Sequence, residues 1–258
     1  MACGPRFAEA VALAKSRPAL SVGCHVVMVD GRPALDPRQI PSLICSARTP
    51  SFRQSLMRVL CLAAVGKLDH GEIAAEITAQ IMRLRRAGIQ VSHLDSHKHT
   101  HILPAMLRGM LRAAKDCGIG AIRNPFEPFL FARVRHWKRH FQLRMLQRYR
   151  HSFHSALAES GVRSPDGCVG IVATGGLSLP TFQALVESLP EGTWEFVTHP
   201  GYNDAELATV HTRLRASREQ ELKILTSPQI KELFTQEQIQ LISYQALASG
   251  EESNRFLK

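Results

Sequence analysis

The sequence predicts an α/β protein with parallel strands, of the (β/α) barrel or doubly wound class. Two observations carry this. Strand-like apolar runs alternate with helix-period segments along the 258 residues, the order produced when helical crossovers join parallel strands. Polar residues also collect where the strands end: His25 in the first, His93 to His101 beyond the second, Arg123 and Asn124 after the third, His199 after the fifth. That is the edge on which parallel β/α folds carry their sites.

Each element has its own signal. Phe7, Ala10, Val11 and Ala14 predict a helix over 7–16. The run SVGCHVVMV (21–29) reads as a buried strand closed by the turn Asp30-Gly31-Arg32-Pro33, and 34–50 as a Pro- and Ser-rich loop. Ile73, Ile77, Ile81 and Leu84 form one stripe of a helix over 71–87, stopped by Gly88. A strand follows at 89–95, then a helix that Pro104 opens and Gly118 closes. Further strands are expected at 119–123, 168–172, 194–198 and 239–243, and helices at 130–159, 179–189, 213–225 and 228–235.

Composition narrows the class. With 45% hydrophobic and 21% charged residues, the chain is neither mainly disordered nor a coiled coil. Its longest apolar stretch, Val59 to Gly66, is far below the roughly 18 residues of a membrane span. Met1 leads into a polar, Pro-containing start and not a secretory leader. Six cysteines without CxxC spacing read as reduced thiols of a cytoplasmic protein. The net charge of +10 permits nucleic acid, an anionic membrane surface or an acidic substrate. No helix-turn-helix, zinc-finger or aromatic–basic strand pattern supports nucleic acid. Arg133, Arg135, Lys138, Arg139, Arg144, Arg148 and Arg150 interleave with apolar residues in the 131–150 segment. It reads first as a solvated face of a helical insertion at about 129–160, with peripheral contact to the inner membrane as the alternative.

The chemistry concentrates in His93-Leu94-Asp95-Ser96-His97-Lys98-His99-Thr100-His101. If that segment is extended, His93, Asp95, His97, His99 and His101 all point to one side. Four imidazoles and a carboxylate cannot make an apolar core face, so metal binding is the expectation. His25 by itself reads as a core histidine. His199, before Pro200-Gly201-Tyr202, reads as a ligand, an acid/base or a turn residue. No Walker loop, G-x-G-x-x-G, G-x-S-x-G or H-E-x-x-H occurs.

The segment HLDSHKHTHILP (93–104) resembles the signature of the YdjC-like carbohydrate deacetylases. ALSVGCHVVMVDGRP (19–33) is similar to that family's G-x-H strand and turn, and EFVTHPGYND (195–204) to its late His-Pro motif. RNPFEP (123–128), VATGGLS (172–178) and TRLRASREQEL (212–222) further resemble the hopanoid-biosynthesis branch, the HpnK type. The resemblance implies one barrel-like domain over residues 1–258 that uses a divalent metal, magnesium or zinc, to remove acetyl from an N-acetylamino sugar. The sugar expected from the branch is a hopanoid-type glycolipid. By the same carry-over His25 and His97 match metal ligands, His199 a general acid for the departing amine, and Asp95 a supporting carboxylate. His93, His99, His101 and Arg123 are the expected substrate contacts. The family's first strand ends in an Asp-Asp-Phe-Gly motif, whereas this sequence has no Asp-Asp pair and starts on a helix. The expectation is therefore a reading frame extending roughly 30–45 residues upstream, enough for a strand, a helix and part of a second strand. The alternative is a sugar- or metal-binding remnant without turnover.

Overall fold

The computed structural model describes residues 1–46, 49–128, 146–210 and 212–250. Most of the basic 131–150 segment lies outside them. The chain divides into two compact units, residues 1–123, 148–164 and 242–258 in the first, and 124–147 and 165–241 in the second.

In the first unit, α1 (Phe7–Lys15) leads into β1 (Val22–Val26), which pairs in parallel with β4 (Val91–Ser96). The register sets His25 beside Asp95 and Val26 beside Ser96. Residues 119–123 form no full strand. They add single parallel bridges, Leu94 to Ile122 and Ala121 to Arg163, with the Arg123 amide donating to the Leu94 carbonyl at 2.9 Å. The 34–50 loop is more structured than its Pro content predicts. It contains β2 (Ile44–Ser46), which pairs antiparallel with β3 (Thr49–Phe52). Val59 to Gly66, noted only as an apolar stretch, falls largely within α2 (Leu56–Ala64), capped by the Ser55 hydroxyl.

Two helices back this sheet. In α3 (His70–Arg86) the Asp69 carboxylate caps the start through the Glu72 amide, and three arginines sit at the negative end of the dipole. Its stripe Ile73, Ile77, Ile81 and Leu84 is buried as expected. α4 (Pro104–Asp116) packs on it through Gly109, where an added Cβ would lie 2.3 Å from Ile73 Cγ2. α5 (Arg150–Ser160) is the described part of the helix expected over 130–159, and it buries Phe153 and Leu157.

The second unit pairs β5 (Gly167–Val169) with β6 (Trp194–Phe196), again in parallel. α6 (Leu179–Glu187), α7 (Ala216–Leu225) and α8 (Pro228–Gln236) supply its core, where Phe182 stacks on Phe196 and meets Phe234. The strand expected at 239–243 does not form. That apolar run falls where the chain passes back to the first unit, it finds no ladder partner among the described residues, and Leu241 is 75% exposed. α9 (Tyr244–Ser249) follows it.

Candidate active site

β1 and β4 are parallel neighbours in register, so His25 and Asp95 stand side by side at their C-terminal ends. His25 Nδ1 lies 2.6 Å from Asp95 Oδ2, and Arg123 donates to the same oxygen at 2.6 Å. Burial by itself raises the Asp95 carboxyl. The His25 hydrogen bond and the Arg123 charge outweigh it and hold the group well below the usual carboxylate range. An ionised Asp95 only accepts hydrogen bonds, which assigns the shared proton to His25 Nδ1 and, in the neutral ring, the lone pair to Nε2. The pair is a carboxylate orienting an imidazole.

His97 begins the next turn. Its ring centroid is 5.8 Å from that of His25, nearly edge-on, and its Nε2 is 3.5 Å from Asp30 Oδ2. Burial and the neighbouring His25 lower the His97 imidazole below its ordinary value, against the pull of Asp30. Asp30 also pairs with Lys98. Three residues here hold left-handed backbone without being glycine: Asp30 (φ 61°), Lys98 (φ 54°) and His99 (φ 52°). Such positions cost of order 1–3 kcal/mol each and gather where surrounding contacts dictate the conformation.

That conformation corrects the extended reading of the histidine run. β4 ends at Ser96, opposite the last rung of β1, and His97–Ile102 is two short turns joined across a kink at the left-handed Lys98 and His99. The ladder has no further partner, and the Ser96 hydroxyl closes the turn. It accepts from the His101 amide at 3.0 Å and from the Thr100 hydroxyl at 3.2 Å, and lies 2.5 Å from His101 Nδ1. His101 Nε2 meets the Arg123 carbonyl at 3.2 Å. With 0% exposure and both ring nitrogens engaged, His101 is a strut beneath the site and not the expected substrate contact. Burial pushes its imidazole down to about 4.

The other expected contacts also divide. His99 is pushed down to about 3 by burial, and its enclosed Nδ1 has no hydrogen-bond partner among the described residues. His93 lies over Gly23, stacks on Tyr244 at 3.7 Å and bonds Ser92. Arg123 is turned onto Asp95, so it holds that carboxylate in place.

His199 belongs to the second unit, just beyond β6. Its amide donates to Glu221 Oε2 at 2.5 Å, and Glu221 is 2% exposed on α7. Sequence reading missed Glu221 and also Glu127, whose two oxygens accept from the Gly170 and Val172 amides at 2.8 Å each. It missed Glu76 and Gln80 as well, although both fall on the apolar stripe of α3, where a polar side chain must find a buried partner.

The resemblance implies a divalent cation, and the donor set tests that. His25 and His97 fit as two imidazole donors, the first oriented by a carboxylate, a pattern typical of imidazole-bound metals. A third ligand does not complete them: among the described residues no three His, Cys, Asp or Glu side chains gather to hold an ion. Among the described residues the donors for such an ion are therefore these two imidazoles alone.

These features define a parallel α/β protein with an imidazole–carboxylate site at its strand ends. The family model described as YdjC-like protein matches residues 1–236, and the chain belongs to that family. A carbohydrate deacetylase of Brevibacillus brevis is 30% identical over 245 residues, spanning 93% of this chain and 84% of that protein. One of Geobacillus stearothermophilus is 28% identical over 246 residues, spanning 95% and 83%. The solved structure of a candidate cellobiose-phosphate cleavage protein of Enterococcus faecalis shares the fold. Its TM-score is 0.73 at 24% identity, over 96% of this chain and 85% of that one.

Proposed function

We propose that the chain is a carbohydrate deacetylase, a hydrolase that cleaves the N-acetyl amide of an acetylamino sugar. The observation that carries this is the His25–Asp95 pair at the ends of parallel strands, with His97 beside it, in a chain whose relatives bear that activity in their names. Asp95 fixes the His25 tautomer, so the lone pair of the neutral ring is on Nε2. Arg123 keeps Asp95 ionised, and burial keeps His97 neutral and able to donate its own lone pair. A divalent metal on these two imidazoles, magnesium or zinc, would supply an activated water and a polarised carbonyl. Imidazole donors favour the transition metal. His199 is the group proposed to protonate the departing nitrogen, a role typically contributing 10²–10⁴-fold in rate. On this reading the strands belong to a barrel-type deacetylase fold, an expectation that rests on the family resemblance.

The finer substrate proposal is an N-acetylglucosaminyl lipid of the hopanoid type, and the net charge of +10 suits an anionic membrane surface. Among the described residues no helix is long and apolar enough to cross a membrane. The experiment is to incubate the full chain and a divalent metal with the glycolipid and, separately, with chitobiose, and to measure acetate. Release from the glycolipid supports the whole proposal, and release from chitobiose alone removes the lipid part. Binding of sugar without release under any metal favours the second reading, a non-catalytic sugar binder, which the incomplete ligand set supports.

A further inference from the structure

We propose that Glu76 and Gln80, two buried side chains one turn apart on α3, are positioning residues that clamp the segment joining His25 to Asp30. The β1 ladder ends at Val26, whose register partner is Ser96. Gln80 supplies the next rung. Its Oε1 accepts from the Val27 amide at 3.0 Å, and its Nε2 donates to the Val27 carbonyl at 2.8 Å. A primary carboxamide has the same donor and acceptor as a peptide unit, so it can stand in for a neighbouring strand. The second Nε2 hydrogen goes to Glu76 Oε1 at 2.8 Å. A carboxylate there fixes which end of the amide carries the nitrogen.

Glu76 takes the other end of the segment. Its Oε1 accepts from the Ala34 amide at 2.8 Å and its Oε2 from the Leu35 amide at 3.0 Å. Between these anchors the Asp30 amide donates to the Arg53 carbonyl at 3.0 Å and the Phe52 amide to the Gly31 carbonyl at 2.9 Å. The tip is thereby pinned with Asp30 at φ 61° and its carboxylate toward His97 and Lys98. Glu76 is 0% exposed and Gln80 1%. Packing α3 needs neither, since apolar side chains would cover its neighbours at less desolvation cost. What only these two groups supply is a fixed path for 27–35 from one site residue to another. A displacement of about 1 Å in such a segment can cost about 10²-fold in rate.

The role in positioning rests on the proposed activity, but the clamp itself does not, and the test separates them. In Glu76→Gln and Gln80→Leu, hydrogen exchange of the whole chain should show 27–35 exchanging at least about tenfold faster while β4 and the core of α4 keep their protection. Turnover per folded molecule should fall about tenfold or more with KM within about twofold, whereas a purely structural role lowers the folded fraction and leaves the turnover of what remains unchanged. Where a variant does not fold, the wild type gives the answer: the Val27, Ala34 and Leu35 amides should be protected as β1 is. Exchange of those amides at free-loop rates, or variants whose 27–35 segment stays as protected as in the wild type, would overturn the clamp. If the wild type releases acetate and the variants turn over equally fast, the positioning role is overturned. If the wild type releases none, the deacetylase reading falls, and loosening of 27–35 in the variants still supports the clamp.

Discussion

Asp95 is the hinge of the site, and Asp95→Asn tests how. The carboxylate serves two partners on one oxygen, His25 and Arg123, each at 2.6 Å. Asparagine can set its one oxygen where Oδ2 stands, so both contacts turn from charge-assisted into neutral hydrogen bonds, which are roughly half as strong. A hydrogen bond to a charged group contributes about 1.5–3 kcal/mol. The Arg123 side chain, 14% exposed, also loses its counter-charge in a site largely closed to water. Together these give a loss of about 2–4 kcal/mol, or about 5–15 °C in Tm for a chain of this size. Thermal and urea melts followed by circular dichroism at pH 7 measure it. The pH dependence has a fixed sign. Asp95 has its folded pKa held below the unfolded one, so its stabilisation is fully present above the ordinary carboxylate value of about 4 and is lost as pH falls below it. The gap between wild type and variant should be full at pH 7 and narrow as pH falls below about 4. The double change Asp95→Leu with Arg123→Met should recover part of the loss, because no buried charge is then left alone. A single variant within about 0.5 kcal/mol of wild type at pH 7, or a gap that widens in acid, would refute the reasoning.

His101 and His99, pushed down to about 4 and about 3 by burial, are neutral in the folded chain where the unfolded chain binds protons. Stability should therefore fall as pH drops from about 6.5 toward 4, with His101 contributing up to about 3 kcal/mol; urea midpoints at pH 7 and pH 4.5 should show a smaller drop in His101→Gln. Gly109→Ala should destabilise by about 1–3 kcal/mol although alanine is the better helix former, because its Cβ would meet the buried Ile73 at 2.3 Å. A chemical melt with Gly109→Ala at or above wild-type stability would show that α3 and α4 do not touch as described.

The sequence by itself determined the parts governed by local periodicity. α3 and α4 could be read almost to the residue, because an apolar stripe, a Pro start and a Gly stop are all local signals. The parallel α/β class followed from the order of elements, and the gathering of polar residues at strand ends pointed to His25, Asp95 and His97. Tertiary structure decided what those residues do. The histidine run looked like one extended face, yet β4 stops at Ser96 because β1 offers it no further rung, and Ser96 then folds the chain back onto His101. Whether a histidine faces solvent or props up the strand end depends on that turn, which no period records. The strand expected at 239–243 failed for the same reason: an apolar run becomes a strand only when a neighbour supplies its hydrogen bonds. Glu76, Gln80, Glu127 and Glu221 were invisible as buried anchors because their partners are backbone amides 22–53 positions away, brought into reach only by packing. A buried carboxylate is read from sequence as a polar residue. Its meaning comes from the amides that the fold presents to it.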